Sequence, residues 1–142
     1  NKLLSVFAKT KNARLAKKYF DQIHMPSAVS YGSLLHALGD VGDSENAIIY
    51  FNKMIDAGFQ PSIVAMNHVL KAHCNNKEGL GAEKWLFEEY SLHGLQPDSF
   101  SYNICINAHA KEGNPSGAVK IFNAREKSGI HFFEKFQIFK TF

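Results

Sequence analysis

Cysteine is scarce in this 142-residue chain: there are two, Cys74 and Cys105, in no CxxC pair. A disulfide scaffold is excluded, and a reducing compartment without structural disulfides is the simplest reading. No uninterrupted apolar run approaches the ~20 residues that a membrane-spanning helix needs. No stretch sustains the period-two alternation of a half-buried strand. There is no P-loop, no GxGxxG and no GxSxG, so the common phosphate cradles and the nucleophile elbow are missing. Charge of one sign is in small excess only. The formal net charge of +3 is too mild to mark a nucleic-acid binder. What remains is globular composition, 45% hydrophobic, 20% charged and 13% aromatic, which excludes wholesale disorder and collagen.

The charge is unevenly spread. Residues 1–27 carry six basic groups and one acid, residues 28–98 four and nine, and residues 99–142 six and three. The ends are positive and the middle is negative. A basic run on a helix is ordinarily a solvated face. An acidic stretch on a binding surface would weaken the hold on any polyanion, because charge neutralisation dominates such affinity. The chain starts at Asn1 rather than methionine, which fits a fragment or processed form, so a missing targeting segment says nothing about destination.

Self-similarity is the strongest signal. When the segments starting at Ala28, Ile63 and Ser99 are superposed, Tyr31, Met66 and Tyr102 coincide, as do Leu35, Leu70 and Ile106, and Ala37, Ala72 and Ala108. Further on, Phe51, Phe87 and Phe122 fall together, then Gly58, Gly94 and Gly129. The units are 28–62, 63–98 and 99–133, of 35, 36 and 35 residues, after a partial unit 1–27. The partial unit is about four residues short after Phe20. The extra residue of unit two is expected in the inter-helix stretch Cys74–Gly81.

Each unit reads as two helices. Apolar residues at helical spacing mark the first, Val29, Leu34, Leu35 and Leu38 in unit one. Asp43 and Asn114 are suited to cap second helices, with Pro115 at a first helical position. The second helices stop at Gly58, Gly94 and Gly129. A single hairpin cannot bury its apolar faces, so the pattern predicts an all-α, right-handed solenoid of seven or eight helices in antiparallel pairs. The array spans 1–130. The aromatic stretch 131–142, with Phe132, Phe136 and Phe139 at helical spacing, has two open readings: a partial next helix capping the last hairpin, or a hook for a partner.

Rival chemistry finds little support. Cys105 and His109 share a helix face, but two ligands do not make a zinc site. His73 and His109 occupy equivalent positions, which favours packing between helices. A Cys–His nucleophile would need a third, orienting group, and none is identifiable. Neither catalysis nor a metal or other cofactor is expected.

The strings AVSYGSLLHALGDVGDSENAIIYFNKMIDAGFQPS and SFSYNICINAHAKEGNPSGAVKIFNAREKSGI resemble pentatricopeptide repeats. The features are an aromatic followed by a variable residue early in the first helix, A-x-x-x-F in the second, and the G-x-x-P-x ending. The shortened first unit is similar to the short repeat variant of plant-type members. The resemblance implies a modular binder of single-stranded RNA in a mitochondrion or plastid, reading one base per repeat with two or three side chains. Carried over by position, the base-reading pairs are Asn1 with Ser27, Gly32 with Ser62, Asn67 with Asp98, and Asn103 with Phe133. Val29, Val64 and Phe100 would pack on base faces, and Lys9 and Lys111 would lie near phosphates. Asn67 with Asp98 implies uracil. An Asn amide can match a pyrimidine edge, whereas Gly32 has no reading atom and Phe133 no acceptor. The second open reading is a protein-binding or structural subunit of a larger organellar ribonucleoprotein.

Overall fold

A computed structural model describes residues 2–129. Asn1, Phe133 and the aromatic stretch 131–142 lie outside the described residues. Eight helices follow one another in those residues. They are α1 (Lys2–Lys9), α2 (Ala13–Phe20), α3 (Ala28–Val41), α4 (Ser44–Asp56), α5 (Ile63–Asn75), α6, α7 (Ser99–Lys111) and α8 (Pro115–Ser128). Helix α6 is composite: Gly79–Lys84 runs through a π-helical stretch, Trp85–Glu89, into Tyr90–Leu92. No strand occurs among the described residues.

Local chemistry sets the boundaries. The side chains of Ser27, Asp43, Ser62, Asp98 and Asn114 each accept from the backbone N–H three residues on, capping α3, α4, α5, α7 and α8. Asp98 and Ser101 close a full capping box. Gly58, Gly94 and Gly129 end their hairpins in the left-handed region, with φ of 91°, 72° and 88°. Helix α2 stops just after Phe20, about one turn earlier than α4 stops after Phe51. That missing turn is the shortening of the first unit.

The hairpins stack through their first helices. Helices α1, α3, α5 and α7 pack successively side by side. Second helices reach their successors through long side chains instead: Phe20 meets Tyr50 at 5.4 Å edge to face, and Phe51 meets Trp85 at 5.2 Å. The first helices therefore run closer together and form the inner row of the stack. At one seam the approach is close enough to require glycine. A Cβ on Gly39 of α3 would lie 2.6 Å from the His68 carbonyl oxygen of α5. The core repeats with the period: Tyr31, Met66 and Tyr102 are buried, as are Leu34, Val69 and Cys105.

Two expectations about the second helices are corrected. The extra residue of unit two does not lie in Cys74–Gly81. From Asp43 to Glu78, the residues before α4 and α6, the spacing is still 35, and the extra residue enters between Ala82 and Gly94. It is the π-helical stretch, the usual way a helix absorbs a single insertion. The register of Phe87 is therefore wrong by one. Leu86, 1% exposed, is the structural equivalent of Phe51, while Phe87 is 42% exposed. Trp85 and Tyr90 are buried beside Leu86, and the Trp85 indole donates to the Met66 carbonyl at 3.0 Å. Phe122 does hold the position of Phe51, yet is 43% exposed. Phe51 packs on the following hairpin, and among the described residues none follows α8.

Phe51→Ala should cost about 3–5 kcal/mol and Leu86→Ala about 2–5 kcal/mol. Phe87→Ala should stay within ~0.5 kcal/mol. Urea unfolding of the three variants checks the register, and a Phe87→Ala loss equal to that of Leu86→Ala would overturn it.

Candidate nucleic-acid interface

The inner row presents one recurring stripe. Near the start of α3, α5 and α7, Val29, Val64 and Phe100 are 65%, 62% and 64% exposed, so three apolar side chains stand in a column facing solvent. Burial would favour each by more than 1 kcal/mol, and no neighbouring hairpin supplies it. One turn further along lie Gly32, Asn67 and Asn103, and the row ends with Asp40, Asn75 and Lys111. Lys9 holds the same place at the end of α1, and both Lys9 and Lys111 are exposed. Ser27 and Ser62 are helix caps at the surface.

The polar positions differ sharply. Asn67 is buried and held on both ends of its amide. Its Oδ1 accepts from the Tyr90 hydroxyl at 2.5 Å and lies 2.6 Å from the Ser101 hydroxyl. Its Nδ2 donates to Asp98 Oδ1 at 3.4 Å. Unit two's first helix is thereby tied to its own second helix and to the cap of α7. Burial raises the Tyr90 hydroxyl above the usual range, so it stays a donor. Asn103 is exposed and accepts from Arg125 Nη1 at 2.8 Å. At Gly32 nothing lies within 4 Å of where a Cβ would sit.

Between α5 and α7 the inner face opens into a groove of about 730 Å³. Lys71, Lys77 and Lys111 line it with Asn75, Phe100 and one acid, Glu112, which follows α7. The acidic middle of the chain does not. Of the nine acids in 28–98, Asp43, Glu45, Asp56, Glu78, Glu83, Glu88 and Glu89 belong to second helices or their caps, and Asp98 caps α7. Asp40 is the one acid within the first helices among the described residues. It is paired with Lys71 at 2.8 Å and His36 at 3.2 Å. Burial pushes its carboxyl up, but Lys71, His36 and Lys11 more than offset this and leave it below the usual range.

Other contacts cross the seams. His36 stacks on His68 with ring centroids 5.0 Å apart and planes 21° from parallel. Burial, aided by neighbouring positive charge, lowers His68 to about 4. The buried thiols of Cys74 and Cys105 are 4.0 Å apart. Contact with Cys74, together with burial, raises the Cys105 thiol and keeps it protonated. His73 and His109 both lie beneath second-helix starts, against Gly81 and Gly117. His73 bonds Glu78 at 2.8 Å, and His109 lies near Asn114 at 3.3 Å. Sequence reading pairs Asn67 with Asp98 and places His73 and His109 between helices, but it misses the contacts of His36 with His68, Asp40 with Lys71 and Cys74 with Cys105, although a signal exists. Asp40 and Lys71, Asn67 and Asp98, and Cys74 and Cys105 are all 31 residues apart. That separation is one repeat less one helical turn.

No group of three His, Cys, Asp or Glu side chains suited to a metal occurs among the described residues. No helix among them is long and apolar enough to cross a membrane.

Fold and stripe together define an α-solenoid built from helical hairpins. Family models for the pentatricopeptide repeat match residues 24–77, 61–111 and 100–130, taking in 24–130 between them. The chain belongs to the pentatricopeptide repeat family. A putative pentatricopeptide repeat-containing protein of Arabidopsis thaliana is 32% identical over 124 residues, covering 85% of this chain and 15% of the relative. A second from that plant, named as mitochondrial, is 28% identical over 111 residues, covering 78% of this chain and 16% of its own. The chain thus spans under a fifth of these relatives. The crystal structure of the maize pentatricopeptide repeat protein PPR10 matches with a TM-score of 0.73 at 19% identity, covering 95% of this chain and 20% of that one. PPR10 in complex with an 18-nt psaJ RNA element matches at 0.69 and 23% identity, over 89% and 19%.

Two outcomes follow from this geometry. Asn67→Ala strands the buried Tyr90 hydroxyl and should cost about 1–3 kcal/mol, while Asn103→Ala should stay within ~0.5 kcal/mol; thermal melts compare them. His68 titrates lower folded than unfolded, so its contribution to stability is present above pH ~6.5 and is lost as pH falls toward 4. The loss should reach about 2 kcal/mol between pH 7 and pH 5. Urea midpoints at the two pH values test this, and His68→Asn should flatten the change.

Proposed function

We propose that this chain is a segment of an RNA-binding repeat protein that lays single-stranded RNA along its inner face, one base per unit, and acts by binding rather than catalysis. The column of exposed Val29, Val64 and Phe100 carries the reading. Apolar side chains repeated once per hairpin can pack on base faces, a contact available to every base. The lysines lining the groove below that column can meet phosphates, and the sorting of acids onto the second helices leaves that side favourable for an anion. Base reading falls to Asn67 with Asp98, Asn103 with Phe133, Asn1 with Ser27, and Gly32 with Ser62. Asn67 has one amide hydrogen left for a base once its contact with Asp98 is made, which suits a uracil carbonyl. Along the strand from 5′ to 3′ the preference is pyrimidine, any base, uracil, pyrimidine. An organellar setting, mitochondrion or plastid, is in keeping with relatives named as mitochondrial.

One observation favours a second reading. Asn67 is buried and used within the protein, which suits a repeat serving as a joint in a scaffold of a larger ribonucleoprotein with protein partners.

Titration of short single-stranded RNA at several salt concentrations decides between them. Replacing Lys9 and Lys111 should weaken binding to every sequence and flatten the salt slope by about 0.7 for each phosphate no longer neutralised. Asn67→Ala, measured where it remains folded, should erase the uracil preference at one position and leave the slope unchanged. Equal binding of wild type to poly-U and poly-A, unaffected by Asn67→Ala, would favour the scaffold.

A further inference from the structure

Unit one lacks a reading atom at Gly32, yet its inner face is not bare. One turn beyond Gly32 stands His36, with 41% of its side chain exposed. Its ring is fixed from two directions. One face stacks on His68 at 5.0 Å across the seam between units one and two. Its Nε2 lies 3.2 Å from Asp40 Oδ2, and Lys71 holds that carboxylate from the far side at 2.8 Å. His68 is itself anchored, because Gly39 lets α3 settle on its main chain. Beyond the helix's own backbone, nothing lies within 4 Å of where a Cβ on Gly32 would sit, so the surface one turn before His36 is clear.

From this geometry we propose that the outer face of the His36 imidazole is a stacking platform for one nucleobase of the bound strand, giving unit one affinity without base identity. A ring held on one face and one edge has little freedom left to lose, so a base can stack on it at small entropic cost. Burial keeps His68 neutral at physiological pH, so the ring behind His36 brings no charge of its own. Stacking tolerates any base, which fits a unit with no hydrogen-bonding side chain at position 32. The proposal rests on the RNA reading above.

The test uses a fluorescein-labelled ten-nucleotide oligouridylate and the whole chain. His36→Ala should weaken binding about ten-fold, the loss of one base stack, with the salt slope unchanged. His36→Phe, which keeps an aromatic ring but no ring nitrogens, should restore wild-type affinity. Circular dichroism melts confirm that each variant is folded at the assay temperature. His36→Ala binding as tightly as wild type would overturn the platform, and so would His36→Phe binding as weakly as His36→Ala. A shallower salt slope in His36→Ala would mark a phosphate contact by His36 instead and overturn it as well. Failure of wild type to bind any single-stranded RNA would remove the RNA reading, and the platform with it.

Discussion

Every helix here depends on the seam between one hairpin and the next. Helices of about thirteen residues are marginal alone in water. A hairpin covers only the facing sides of its two helices, so the remaining apolar stripe must be covered by a neighbour. Where a further hairpin follows, the side chain eight residues after the second-helix cap does much of this. Phe20 packs on Tyr31 and Tyr50 of the following unit, and Phe51 on Trp85 and His93. The Tyr50 hydroxyl adds a 2.6 Å bond back to Asp21. The π-helical stretch of α6 follows from this demand. An inserted residue in a regular helix would rotate every later side chain off the seam. Concentrating the misfit in Trp85–Glu89 keeps Leu86 and Tyr90 buried and turns Phe87 and Glu88 outward.

The same seams bear on what the inner face can do. Asn67 belongs to the joint first, since Tyr90, Ser101 and Asp98 all bond it. A side chain held this way is rigid, which helps specificity, but it has little hydrogen-bonding capacity left over. Asn103 is the reverse: it is exposed and bonded through one oxygen to Arg125. Equivalent positions in adjacent units therefore differ in stiffness as well as in chemistry. Gly39 adds a third case. It brings α3 and α5 close together, whereas Cys74 and Ala110 hold the equivalent places beside the more open α5–α7 groove.

The period, the caps and most of the first-helix core were legible in the sequence because each is set within one unit. Asp43, Asn114, Gly58 and the row Leu35, Leu70 sit where local periodicity and capping chemistry put them. Phe87 misled because aligning identical letters assumes unbroken helical register, and a π-helical insertion leaves the letters while shifting the faces. The burial of Asn67 and the pairing of Cys74 with Cys105 were not legible from one unit, since they depend on the stagger between neighbouring first helices. The recurrent separation of 31 residues is that stagger written in the chain. The acidic middle misled for a related reason: charge counted along the sequence mixes two helices that face opposite ways.

Charge sorting has a consequence for how an array of this kind is assembled. An acid at the end of a first helix would repel a phosphate strand, and Asp40 stands at one of those ends. It is tolerated because Lys71, from the next unit, lies 2.8 Å away and His36 closes the other side. The compensation comes from a neighbouring repeat, so unit one is electrostatically complete only when unit two is stacked on it. Lys71 also lines the α5–α7 groove, and its ammonium is already committed to Asp40. A phosphate entering there competes with a carboxylate for the same cation, which leaves Lys111 and Lys77 as the stronger anion contacts at that seam. Repeats of one family can thus share a fold while their grooves differ in strength, because each groove is built from the residues of two units.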